Sequence, residues 1–141
     1  MKKFHVLLVE DNEGDILLTK EAFEACKVET EISVAKNGQE ALDFLHKRGE
    51  YVNAKKPDLI LLDINIPIFN GHEVLREIKA DNKLKKIPVI ILTTSSNQKD
   101  LDEAYESHCN SYVKKPLEIS EFLGAILKIE EFWLQLTILS E

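Results

Sequence analysis

The chain has 141 residues, 44% of them hydrophobic and 30% charged, with a formal net charge of −7. That length suits one domain with a sizeable core, and the acidic balance excludes generic nucleic-acid binding, which needs Lys and Arg clustered against phosphate. No apolar run approaches the ~18 residues that span a bilayer, and Met1-Lys2-Lys3 leads into a short apolar segment rather than a signal-peptide core, so the chain reads as cytoplasmic with no membrane partner.

In chain order, Phe4 to Val9 is an apolar run that stops at Glu10-Asp11-Asn12, as a buried strand ending in carboxylates does. Between Asp15 and Lys27, Ile16, Leu17, Ala22, Phe23 and Cys26 recur at helical spacing, with Asn12 or Asp15 as the cap. Ile32 and Val34 make a brief strand. Asn37-Gly38 opens a helix whose inward stripe is Ala41, Leu42, Phe44 and Leu45, and Gly49 follows its end. Leu59-Ile60-Leu61-Leu62 is bounded by Pro57 before it and by Pro67 and Asn70-Gly71 after it, which marks a strand covered on both faces that delivers Asp63 to its tip.

Val74, Leu75 and Ile78 mark a helix beginning near Gly71. Pro88 starts the run Val89 to Leu92, which ends in Thr93-Thr94-Ser95-Ser96. A weakly periodic helix runs from about Asn97 to Glu106, Ser111-Tyr112-Val113 is a last short strand ending at Lys114-Lys115-Pro116, and a final helix from about Glu118 carries Phe122, Leu123, Ile126, Leu127, Ile129 and Phe132. Five strands alternating with five helices predict an α/β fold: a flavodoxin-like, doubly wound, five-stranded parallel sheet of order 2-1-3-4-5 in three α/β/α layers. Ligands in such sheets bind beyond the carboxyl ends of the strands, and this order puts Glu10 and Asp11 beside Asp63.

One rim thus gathers three carboxylates, the Thr93 hydroxyl and Lys115. Crowded carboxylates repel one another unless a cation relieves them, and Mg²⁺ takes hard oxygen ligands. An aspartate beside Mg²⁺ can act as a nucleophile toward phosphorus, with Lys115 neutralising phosphoryl oxygens and Thr93 donating a hydrogen bond to one of them. Taken singly, Lys115 reads as a solvated charge, Thr93 as a strand-end hydroxyl, and Glu10-Asp11 as helix-capping acids; their coincidence at the ends of four strands favours chemistry. Cys26 and Cys109 have no metal-ligand spacing and read as thiols. His5, His46, His72 and His108 read as structural or solvated, with only His72 near the rim.

With Glu10-Asp11, Asp63, Thr93 and Lys115-Pro116 in this order, at intervals of 30 residues from Asp63 to Thr93 and 52 from Asp63 to Lys115, nearly the whole chain resembles the response-regulator receiver domain of two-component signalling. The resemblance implies that Asp63 accepts a phosphoryl group from a sensor histidine kinase, and that Glu10, Asp11, Asp63 and the backbone carbonyl of Asn65 hold Mg²⁺. It also implies that Thr93 and Tyr112 form a switch pair and that the Lys115–Pro116 peptide is cis. The protein would be a signalling phosphoprotein rather than an enzyme, catalysing its own phosphoryl uptake and slow hydrolysis. The wording Glu10-Asp11-Asn12-Glu13-Gly14-Asp15-Ile16, the long Lys47 to Pro57 connection and the tail Phe132-Trp133-Leu134 resemble stand-alone regulators that serve bacterial, especially cyanobacterial, phytochrome kinases.

Residues 1–130 are expected to form the receiver. Residues 131–141 are expected to be an apolar extension that folds back or pairs in a homodimer through the last strand, last helix and tail, since a monomer rarely leaves so contiguous an apolar surface in water. Two rivals fail on residues. A haloacid-dehalogenase-type phosphatase needs a second aspartate where Asn65 stands, and a dinucleotide site needs a glycine-rich turn where Glu10-Asp11-Asn12 stands. A pseudo-receiver that binds partners without phosphorylation is the remaining alternative; it usually lacks the carboxylates or the lysine present here.

Overall fold

A computed structural model describes residues 3–140; the Met1-Lys2 start and Glu141 lie outside the described residues. The strands are β1 (Phe4–Val9), β2 (Thr30–Ala35), β3 (Leu59–Leu62), β4 (Val89–Thr93) and β5 (Ser111–Lys114), all parallel in the order β2-β1-β3-β4-β5. The helices are α1 (Glu13–Glu24), α2 (Gly38–Leu45), α3 (Gly71–Ala80), α4 (Gln98–Glu106) and α5 (Ile119–Glu130). The predicted topology is the one observed. Every residue of β3 and β4 is buried, whereas the edge strands β2 and β5 are largely half-buried.

Alternation along the strands splits the core in two, because successive side chains leave a strand on opposite faces. Leu7, Val9, Ile60, Leu62, Val89 and Ile91 pack with Ala41 and Leu42 of α2 and Val74, Leu75 and Ile78 of α3. On the opposite face, Val6, Leu8, Leu59, Leu61, Ile90 and Leu92 pack with Ile16 and Phe23 of α1 and Phe122, Ile126 and Ile129 of α5. Burial on both faces explains the uninterrupted apolar runs in the sequence.

Asparagine starts the first four helices. Asn12, Asn37, Asn70 and Asn97 each accept from the backbone N–H three residues on, at 2.9, 2.8, 3.0 and 2.8 Å. Their side chains satisfy donors that have no intrahelical partner. This fixes the α1 cap as Asn12 and starts that helix two residues before the expected Asp15. The Lys47 to Pro57 connection contains a 3₁₀ turn, Gly49–Tyr51.

Beyond α5 the chain widens into a π-helical stretch, Glu131–Leu136. Leu134 is buried there, and Trp133 and Leu139 pack partly against the α1/α5 core, while Phe132, Leu136 and Ile138 are 52, 74 and 97% exposed. No helix among the described residues is long and apolar enough to cross a membrane.

Candidate functional site

Sheet hydrogen bonding continued past the strand ends sets the rim. The Asp63 N–H donates to the Val9 carbonyl at 3.0 Å, the Glu10 N–H to Ala35 at 3.0 Å and the Lys115 N–H to Thr93 at 2.7 Å, so each functional side chain sits one residue beyond a fixed ladder. The loop after β3 is then pulled tight: the Gly71 N–H donates to Ile64 O at 2.8 Å, and a Cβ on Gly71 would lie 2.3 Å from the Asp63 carbonyl oxygen. Only glycine permits that approach. Ile68, exposed in the same loop, has φ +71°, a left-handed conformation that a β-branched residue rarely adopts.

Glu10 and Asp63 are buried and Asp11 is exposed, and one carboxylate oxygen from each lies within 4.8 Å of the others. The buried Lys115 amine donates to Glu10 Oε1, to Asp15 Oδ2 at 2.9 Å and to Asp63 Oδ2 at 3.0 Å. Glu10 Oε2 accepts from the Asp11 and Asn12 N–H groups, both at 3.1 Å. The Asn65 N–H donates to Asp63 Oδ1 at 3.3 Å. Burial pushes Glu10 up to about 7, against the lowering pull of the Lys115 amine. Burial also works against the Lys115 charge, but its bond to Glu10 and the negative charges of Asp63 and Glu10 outweigh it and hold the amine above the ordinary lysine range. One amine facing three carboxylates stays charged, so the proton of the Glu10–Lys115 pair resides on Lys115.

This donor set fits a divalent cation. Carboxylate oxygens are hard ligands of the kind Mg²⁺ and Mn²⁺ take, and of the four carboxylates gathered here one amine bonds three, Glu10, Asp15 and Asp63. Glu10, Asp11 and Asp63 would hold the ion.

The residues singled out in the sequence lie as follows. Glu10, Asp11, Asp63, Asn65 and Lys115 come together, and Thr93 is fully buried at the end of the adjoining strand β4. Tyr112 is half-buried; its ring packs against the α2/α3 core and its hydroxyl donates to the Ser95 carbonyl at 2.9 Å. The Lys115–Pro116 peptide, expected to be cis, is trans: no cis peptide occurs among the described residues. The trans form is intrinsically favoured by roughly 0.5–1 kcal/mol, and from it the Lys115 amine already reaches all three carboxylates.

Two groups escaped the sequence reading. Asp15, one of the two cap candidates there, instead bonds Lys115; its place in the first turn of α1, one turn past Glu10-Asp11, was the available signal. A chain of bonds also starts at Ser95, whose carbonyl accepts from Tyr112. The Ser95 hydroxyl donates to Asp100 Oδ2 at 2.6 Å, and Asp100 Oδ1 lies 2.9 Å from Nε2 of the buried His72. Those two bonds, Ser95 first, hold the Asp100 carboxyl below the ordinary aspartate range. They join the start of α3 to the start of α4 across the β4–α4 loop. Nothing in the spacing of His72 and Asp100 announces the pair, because it is formed between elements.

The model of the response regulator receiver domain family matches residues 6–127. The chain is 42% identical to the response regulator Rcp1 of Synechocystis over 130 residues, covering 92% of this chain and 88% of that one. Among solved structures, the phosphorylated cyanobacterial phytochrome response regulator RcpA superposes with a TM-score of 0.97 at 44% identity, covering 99% of this chain and all of that one. The Mn²⁺-bound form of Rcp1 superposes with a TM-score of 0.94 at 40% identity, over 98% and 99% of the two chains.

Proposed function

Since the chain belongs to the response regulator receiver domain family, we propose that it is a phosphorylation-switched interaction module whose phosphoryl acceptor is Asp63. One observation carries the reading: a buried Asp63 carboxylate at the tip of β3 has the acids Glu10 and Asp11 within 4.8 Å and the Lys115 amine at 3.0 Å. The donor is a sensor histidine kinase in the cytoplasm, and the likeness to the phytochrome response regulator RcpA supports one of the phytochrome type.

In the step itself, an Asp63 carboxylate oxygen bonds to phosphorus as the P–N bond of a phosphohistidine breaks and the leaving imidazole takes up a proton. Glu10, Asp11, Asp63 and the Asn65 carbonyl would hold Mg²⁺, which would supply charge neutralisation at the phosphoryl oxygens. Lys115, fixed by its backbone bond to Thr93, swings its amine from the carboxylates to the incoming group. Thr93 then donates to a phosphoryl oxygen, and Tyr112 follows the Ser95 loop that its hydroxyl already holds. That couples the site to the α4–β5–α5 face as a two-state element. Slow hydrolysis of the acyl phosphate resets it.

Residues up to 130 form the receiver, and 131–141 serve as a dimerisation extension. The exposed Phe132 and Leu136, beside the partly exposed Leu127, support a homodimer through β5, α5 and the tail. Light scattering of the full chain beside Phe132→Ser/Leu136→Ser checks this: a dimer converted to a monomer is expected, and a monomeric full chain contradicts it.

One observation favours a second reading, a pseudo-receiver that binds partners without phosphorylation: Lys115 already pairs with Glu10 and Asp63, as a purely structural ion cluster would. Intact mass after incubation with a small phosphodonor and Mg²⁺ separates the two. Wild type gains one phosphoryl group and Asp63→Asn none; equal uptake by both, or none by wild type, rejects the reading.

A further inference from the structure

The amino ends of the strands, opposite the Asp63 rim, carry a feature that phosphoryl transfer does not use. A cleft of about 830 Å³ opens between the end of α2, the segment leading into β3 and the α3–β4 turn. Lys47, Lys55, Lys56, Lys83 and Lys86 surround it, five of the 18 basic residues of a chain whose net charge is −7. All five are exposed, and among the described residues none of their amines forms a salt bridge.

The single carboxylate in the lining, Asp81, is already committed. It accepts from the Lys83 and Leu84 N–H groups at 2.7 and 3.1 Å, and its other oxygen lies 3.9 Å from His46 Nδ1. The cleft is therefore net positive, five lysines against one carboxylate, and like charges converge where repulsion opposes convergence.

The cleft is also rigid. The Lys79 amine donates to the Lys85 and Ile87 carbonyls at 3.2 and 3.3 Å and to Asn110 Oδ1 at 3.0 Å, fixing the α3–β4 turn from behind. The opposite lip is set by Lys47 at φ +57°, with the Lys47 N–H bonded to Phe44 O and the Arg48 N–H to Asp43 O. That is the left-handed helix end that glycine occupies with least strain. His108 ends α4 similarly, but histidine is enriched in that conformation and lysine is not. A lysine there aims a charge at the cleft at a steric cost glycine would avoid. Half-buried Phe44 and buried Leu45, Pro57 and Leu84 supply an apolar floor.

We infer that this cleft binds a small polyphosphate anion, with the lysines meeting the phosphates and the apolar floor able to receive an attached base. The volume lies in the range of small-ligand sites, about 300–1,000 Å³, and Lys serves phosphate as a point charge. The inference is independent of the role proposed for Asp63.

The test is a titration of the full chain, without divalent cations, with inorganic tripolyphosphate and separately with ATP, followed by amide NMR and calorimetry. One saturable event is expected, weakened by salt and shifting amides within 44–47, 55–57 and 81–86. The variant Lys55→Glu/Lys83→Glu/Lys86→Glu, with its fold checked by circular dichroism and its phosphoryl uptake at Asp63 unchanged, should bind at least about tenfold more weakly. Tighter binding of ATP than of tripolyphosphate assigns the floor to the base, and equal binding assigns the site to phosphate alone. No saturable binding, equal binding by the variant, or shifts centred on residues 10–12 and 63–65 would overturn the inference.

Discussion

The two ends of the sheet handle charge in opposite ways. At the carboxyl ends a single buried lysine, Lys115, meets Glu10, Asp15 and Asp63 within hydrogen-bond reach. At the amino ends five exposed lysines share one aspartate that is already bonded elsewhere. Burial makes the difference. In the low-dielectric rim an unpaired charge is costly and must be matched within the fold, whereas in a solvated cleft an unmatched charge costs little and remains available to a ligand. The rim is thus a site whose stability and chemistry are tied together, and the cleft is one whose charges can be changed almost freely.

Substitutions that separate the two should differ in size accordingly. The largest effect is expected for Lys115→Met, which leaves Glu10 and Asp63 facing each other without a cation. Removing one partner of a buried pair typically costs about 3–5 kcal/mol. Urea unfolding in EDTA should show a loss near the lower bound, since Glu10, pushed up to about 7, can take up a proton. Excess Mg²⁺ should restore part of the loss by binding the folded state. A variant as stable as wild type in EDTA would show that the rim charges are not coupled.

Next comes Gly71→Ala. At an ordinary position in a helix this exchange stabilises by about 1 kcal/mol. Here the new Cβ meets Asp63 O at 2.3 Å and Ile64 Cα at 2.6 Å, so overpacking costing about 1–3 kcal/mol should reverse the sign. Thermal unfolding gives the sign directly, and a stabilised variant would mean that the loop carrying Asp63 is looser than the geometry indicates.

Asp100→Asn should lose about 1–2 kcal/mol at neutral pH, toward the low side of the roughly 1.5–3 kcal/mol of bonds to charged groups because the asparagine oxygen can still accept. Its pH dependence follows from the depressed folded-state value. A group lowered below its unfolded value stabilises fully above that value, 3.8 for aspartate, and the stabilisation disappears as the pH falls through the lower folded value. Wild type and variant should therefore differ at pH 7 and converge in strong acid. A constant difference across that window would remove Asp100 from the Ser95–His72 network.

The smallest effect belongs to the cleft. Lys55→Glu/Lys83→Glu/Lys86→Glu should change stability by only about 0.5 kcal/mol per site, as exposed substitutions do, and the same denaturation experiment measures it. A loss as large as that of Lys115→Met would erase the contrast between the two ends.

The comparison also explains what the sequence disclosed. Strand order, the two-faced core and the convergence of Glu10, Asp11, Asp63, Thr93 and Lys115 were readable because each depends on local pattern: an apolar run, a turn signal and a polar residue at a strand tip. Asp15 and the Ser95–Asp100–His72 chain were not, since their partners lie 100 and 28 residues away and the same residue types would serve equally well as caps. The lysine cleft was hidden for a related reason. Lys47 and Lys55-Lys56 belong to one connection and Lys83 to Lys86 to another, and only the fold brings the two to one end of the sheet. The trans Lys115–Pro116 peptide shows the limit of carrying a family feature across by resemblance alone.

Most direct for the central claim, that separated acids converge on Asp63 to hold a divalent cation, is a titration with paramagnetic Mn²⁺ read by amide line broadening. Selective loss of the signals of residues 10–12 and 63–65 at the lowest additions, reversed by excess Mg²⁺ and absent in Asp63→Asn, is the predicted result. Broadening that begins elsewhere on this acidic chain, or that persists unchanged in Asp63→Asn, would contradict it.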